Sequence, residues 1–227
     1  AGGDVNIDNS GDIYVVSLYG DAIGLYAYSV YGDATVNNSG AIFAYSATGI
    51  ADGIFASGAN VEVGNSGDLY AVGGTWAAGI EAQGTDSTNV ENSGDVFAYS
   101  LGAAYGLYAT GGDVTVGNSG DIEAQGYYAT GIEVRSTGDV SVDNSGDIVA
   151  GSISTYYNPY TYNTYVYGSA IATGINAESN GEGAAVDVTN SGDISAVSYF
   201  GGAGISAISS GQYGTASVTN SGNIYAS

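Results

Sequence analysis

Short bursts of alternating apolar and polar residues recur along the chain, separated by glycine-containing breaks, and they fall into three kinds. The first is seen in Asp12-Ile13-Tyr14-Val15, Asp68-Leu69-Tyr70-Ala71, Asp95-Val96-Phe97-Ala98 and Asp193-Ile194-Ser195-Ala196. The second opens on glycine: Gly24-Leu25-Tyr26-Ala27, Gly53-Ile54-Phe55-Ala56, Gly79-Ile80-Glu81-Ala82, Gly131-Ile132-Glu133-Val134 and Gly174-Ile175-Asn176-Ala177. The third is Val61-Glu62-Val63, Val114-Thr115-Val116, Val140-Ser141-Val142 and Val186-Asp187-Val188. A period of two marks half-buried strands, and no segment places apolar residues at the i, i+3, i+4 spacing of a helix.

The three kinds follow one another in fixed order, punctuated by the triplet Asn-Ser-Gly. Triplets begin at Asn9, Asn38, Asn65, Asn92, Asn118, Asn144, Asn190 and Asn220, at intervals of 29, 27, 27, 26, 26, 46 and 30 residues. Self-similarity at a period of this size is the signature of a solenoid. The expected fold is all-β: a single-stranded parallel β-helix forming one domain over residues 1–227, with three short strands per coil, 26–30 residues per coil and about seven coils. Seven intervals at the spacing of paired strands give a rod about 34 Å long. Continuing the alternation from Val114 and Val116 turns Asn118 inward. The eight triplet asparagines are therefore expected to form a structural ladder, each amide bonded to the next, with the following glycine supplying positive φ at the corner.

Composition narrows the function. With 23 acidic residues, one arginine, no lysine and no histidine, the formal net charge is −22. Such a chain cannot neutralise phosphates and is repelled by anionic membrane surfaces, which argues against nucleic-acid partners. No apolar run reaches membrane-spanning length, so no membrane insertion is expected. Without Cys or His, the usual zinc sites and the Cys–His or Ser–His nucleophile pairs cannot be built. A mean hydropathy of +0.08 with 44% hydrophobic residues still predicts a folded protein. The first residue is Ala, from which removal of a leader and an extracellular or cell-surface location are expected.

On the repeat, the charge becomes ordered. Asp12, Asp68, Asp95, Asp121, Asp147 and Asp193 occupy one phase, and Asp4, Asp33, Asp113 and Asp139 another. Stacked at strand spacing, neighbouring carboxylates repel by about 0.9 kcal/mol even in water. Three readings stand open: a solvated face, Ca²⁺ bridging Asp68, Asp95, Asp121 and Asp147, or suppression of the repulsion by high salt or acid. No other cofactor is expected. Tyr14, Phe43, Tyr70 and Phe97 share the outward phase of the first strand, until Glu123 breaks the run. Such a ladder stabilises a parallel sheet and also offers a contact stripe.

The 46-residue interval contains an insertion, residues 151–168, with Tyr156, Tyr157, Tyr160, Tyr162, Tyr165, Tyr167 and the only proline, Pro159. These tyrosines are the candidate interaction loop, since a solenoid does not need projecting loops to fold. Catalysis is not expected: Arg135 stands alone, and nothing singles out one carboxylate pair from the repeated columns.

The succession N-S-G-D-I-x-A, G-I-x-A and V-x-V resembles the repeats of bacterial autotransporter passenger regions and related secreted β-helix proteins. That resemblance implies export and an adhesive or surface-structural role. The opening segment Val5-Asn6-Ile7 is of the third kind and the closing segment Ile224-Tyr225-Ala226 of the first, which suits stacking through open solenoid ends. The expected function is a non-enzymatic extracellular subunit that self-assembles head to tail into a filament or surface layer. An adhesin binding glycans or cells is the alternative, and a polysaccharide-cleaving enzyme a more distant one.

Overall fold

A computed structural model describes residues 2–158 and 163–227, with side chains described outside 153–167. The chain is a parallel β-solenoid with no helix among the described residues. Two sheets carry it. The first contains eight strands, Ile13–Ser17, Ile42–Ser46, Leu69–Gly73, Val96–Ser100, Ile122–Gln125, Ile148–Ala150, Ile194–Ala196 and Ile224–Ala226, stacked in that order. These are the first-kind segments, and their eight strands mark the seven to eight coils.

The second sheet has thirteen strands and holds both remaining kinds. Its separate strands include Ala22–Tyr28, Ala103–Gly111, Tyr128–Ser136, Ile171–Ser179 and Gly201–Ser209 for the second kind. Val5–Asn9, Ala34–Asn38, Asp113–Asn118, Val140–Asn144, Ala185–Asn190 and Thr215–Asn220 belong to the third. In two coils the kinds fuse: Ile50–Asn65 and Trp76–Asn92 run through the corner as single long strands, which pair with a register shift between Gly58 and Asn60. Three strands per coil thus holds in most coils and becomes two in these.

Register follows the repeat. Ile42, Leu69, Val96, Ile122, Ile148 and Ile194 pair in succession in the first sheet. Leu25, Ile54, Ile80, Leu107, Ile132 and Ile175 pair in the second-kind column. Both rows are buried and form most of one continuous core with the valines of the third kind. A one-residue slip would turn every one of these side chains out of the core, so the alternation fixes the register. Ala22, Ala44, Ala51, Ala71, Ala77, Ala98 and Ala104 form a second cluster of their own. The Ile-x-Ala spacing of the first strands supplies both clusters, Ile42 to one and Ala44 to the other.

The glycines are demanded by crowding, which corrects one expectation. No triplet glycine is among the residues with positive φ. A Cβ on Gly67 would instead meet the carbonyl oxygen of Gly40 at 2.0 Å, and one on Gly120 that of Gly94 at 2.1 Å. Successive corners nest so closely that only hydrogen fits. The left-handed conformation is used at Gly151, φ +73°, where the chain leaves the coil. From there an antiparallel hairpin, Ile153–Asn158 paired with Asn163–Gly168, projects and returns. The amide of Ser169 donates to the carbonyl of Ser152 at 3.0 Å, closing its base.

Candidate functional site

The triplet asparagines stand in one hydrogen-bonded column. Each Nδ2 donates to the Oδ1 of the next, from Asn9→Asn38 through Asn65, Asn92, Asn118, Asn144 and Asn190 to Asn220, at 2.7–2.8 Å. The second hydrogen of each goes to the carbonyl of its own triplet glycine, as from Asn118 to Gly120 at 2.8 Å. The bond from Asn144 to Asn190 crosses the insertion at 2.7 Å, the length found elsewhere in the column. Buried amides with every hydrogen assigned are stabilising because leaving one unmet costs about 1–3 kcal/mol.

The acidic columns hold a device that spacing alone did not reveal. Asp68, Asp95, Asp121 and Asp147 are exposed, and the Oδ1 of each accepts the backbone N–H of the corresponding aspartate one coil on. The distances are 3.2, 3.0, 3.0 and 2.8 Å. Asp193 closes the series on Asn223, whose backbone N–H donates at 2.8 Å and holds the carboxyl below its usual range. Asp4, Asp33, Asp113 and Asp139 serve the second corner in the same way, as Asp113 Oδ1 accepts from Asp139 N–H at 2.9 Å. Each carboxylate therefore caps an amide at a corner where the sheet has not yet begun. Among the described residues no three acidic side chains are gathered so as to hold a metal ion. The calcium reading would have to use Asp68, Asp95, Asp121 and Asp147 through these exposed, amide-capped oxygens.

Outward aromatics stack across coils. Tyr14 and Phe43 lie 4.8 Å apart at 10°, and Tyr26 and Phe55 lie 5.1 Å apart at 10°. Tyr70 and Phe97 are looser, at 6.2 Å and 39°. At the triplet corner, Asp8, Asn37, Glu91, Ser66 and Ser93 help line an open polar groove of about 580 Å³. Of the candidate interaction loop, Tyr160 and Tyr162 lie outside the described residues. Tyr156, Tyr157, Tyr165 and Tyr167 lie on the hairpin strands, with Tyr156 opposite Tyr165 and Ser154 opposite Tyr167.

The least ordinary chemistry lies elsewhere, around Trp76. Asp52 is buried, and its carboxyl is pushed up to about 8 by that burial, with the charges of Glu81 and Asp21 adding to the rise. The Trp76 ring centroid lies 4.5 Å from Tyr105 and 5.5 Å from Tyr108. Glu81, also raised by burial, accepts a hydrogen bond from Gln83. Glu133 is raised by burial against hydrogen bonds from Asn176 at 3.1 Å and Arg135 at 2.9 Å. Arg135–Glu133 is the ion pair of the described residues. The pattern did carry a trace of this cluster. At the position of Asp52, neighbouring coils have Ile23, Ala78 and Tyr105, and Trp76 is the chain's only tryptophan.

No protein-family model, curated protein or solved structure matches the chain.

Proposed function

We propose that the protein is a non-catalytic structural rod of the extracellular or cell-surface kind, whose coils stack end to end between copies to build a filament or layer. One observation carries this reading: successive coils meet through parallel pairings and an unbroken asparagine column, with the same aspartate and glycine contacts recurring at most corners. A strand edge with that pattern is a template for any coil of equal register, including one from a second molecule. The charge of −22 opposes side-by-side clumping of rods and is screened by salt. Negative-stain microscopy of the 227-residue chain across a concentration series tests the proposal. Uniform fibres that lengthen with concentration and with added salt are expected. Short single rods at every concentration and salt would refute it.

An adhesive role is the second reading, favoured by the flat Tyr14–Phe43 stack and the hydroxyl- and carboxylate-lined groove, which suit the faces and edges of sugar rings. Binding on a glycan array that is lost with Tyr14→Ala would support it.

A further inference from the structure

Asp52 lies one residue before Gly53 in the strand Ile50–Asn65, paired with Ile23 on one side and Ala78 on the other. It is 2% exposed, and its Oδ1 has no hydrogen-bond partner. The only other buried, unpartnered side-chain atom among the described residues is Trp76 Nε1, at the head of the next strand. The indole N–H is close enough to Asp52 and Glu81 to favour their anions, yet it meets hydrogen-bond geometry with neither. Burial with one oxygen unpartnered is a poor ground state for a carboxylate and an acceptable one for a neutral acid, and only the indole and the Ala78 backbone weigh the other way.

The surroundings all bear on that choice. From Trp76–Asn92 come Glu81 and the indole, and just ahead of Ala22–Tyr28 stands Asp21. Tyr105 and Tyr108 of Ala103–Gly111 pack on the indole, with each other at 5.3 Å. Behind them on Tyr128–Ser136, the only cation, Arg135, is engaged by Glu133. The charges that act on Asp52 are both negative.

We propose that Asp52 and Trp76 form a proton-operated latch: while the Asp52 carboxyl keeps its proton, the Trp76–Tyr105–Tyr108 cluster stays closed against it. Loss of that proton to solvent leaves an anion beside Glu81 and Asp21 with only the indole and the Ala78 backbone to favour it, and the cluster opens to admit water. The solenoid core is not part of the moving unit, since its apolar rows lie in a separate cluster. The ring hydroxyls do not complicate the window, because burial pushes Tyr105 and Tyr108 above their ordinary values.

The sole tryptophan reports on the latch directly. In the full chain, Trp76 emission is expected to shift to the red and to become accessible to a neutral quencher between pH 6 and pH 9.5, reversibly and with unchanged far-UV circular dichroism. The Asp52→Asn variant is expected to keep buried-type emission throughout, and Glu81→Gln to lower the midpoint. A flat wild-type profile overturns the proposal, as does an unchanged transition in Asp52→Asn or a spectral shift that accompanies loss of strand signal. Should Asp52→Asn fail to fold, carboxyl-carbon NMR of aspartate-labelled wild type decides the matter. One aspartate titrating several pH units above the others supports the latch, and all aspartates titrating together in acid rules it out.

Discussion

Truncating an interior rung of the amide column, Asn118→Ala, should be among the most damaging single changes away from the glycines. Asn118 donates to Gly120 O at 2.8 Å and to Asn144 Oδ1 at 2.7 Å, and accepts from Asn92 Nδ2 at 2.8 Å. Its neighbours Asn92 and Asn144 are 3% and 0% exposed, so bulk water does not replace the missing partner. Three groups lose a bond at once. At about 1–3 kcal/mol per buried orphan, and with partial relief if a water enters, the loss comes to about 3–6 kcal/mol. The same truncation at Asn220 removes an exposed side chain at the end of the column and takes one acceptor from Asn190, a place solvent can fill once that side chain is gone, and should cost about 1 kcal/mol. Asn118→Asp sharpens the contrast: a carboxylate would set an acceptor against Asn144 Oδ1 and Gly120 O, with part of the damage undone by protonation in acid. Urea unfolding by circular dichroism measures the three variants. Amide exchange at Ser119 and Ser145, which donate to Asn92 O and Asn118 O at 2.8 Å, localises the effect. Equal losses at Asn118 and Asn220, or an interior loss below 1 kcal/mol, would refute the assignment of stability to the buried column.

Gly131→Ala would place a methyl 2.3 Å from Ile148 Cγ2 and 2.6 Å from Gly174 O, so a loss of about 1–3 kcal/mol or more is expected. Gly11→Ala, with nothing within 4 Å, should be near neutral in the same urea assay. A carboxyl raised in the folded state stabilises fully below its unfolded value and loses that contribution as pH climbs through the folded one. Asp52, raised from 3.8 to about 8, should thus weaken the fold by about 1.4 kcal/mol per pH unit across that interval, until the latch opens. Glu81 and Glu133 act in the same sense, so the urea midpoint should be higher at pH 5 than at pH 8, and Asp52→Asn should flatten the difference. Replacing residues 153–168 by two glycines should move the melting temperature by only a few degrees, because Ser152 and Ser169 already meet at 3.0 Å. A large loss in calorimetry would show that the hairpin supports the coil.

The coil itself was readable because its determinants are local. Strand alternation, the Ile-x-Ala spacing and the triplet each repeat within one period, and Asn118 turned inward as its parity with Val116 required. What stayed hidden depends on relations between coils. The role of Asp121 lies in the amide of Asp147 one turn away, which a column of like charges does not disclose. The triplet glycine suggested positive φ, whereas the constraint comes from the carbonyl of the coil beneath it. The fused strands Ile50–Asn65 and Trp76–Asn92 cross a position where other coils turn. Asp52 and Trp76 become one site only when adjacent coils are superposed, and each alone is a single departure from the repeat.

The bond from Asn144 to Asn190 spans 46 residues as easily as its neighbours span 26. The core is therefore blind to how much chain lies between two successive rungs. An excursion can be spliced between coils without altering the asparagine contacts above or below. Decoration is then free to diverge independently of the fold's stability per coil.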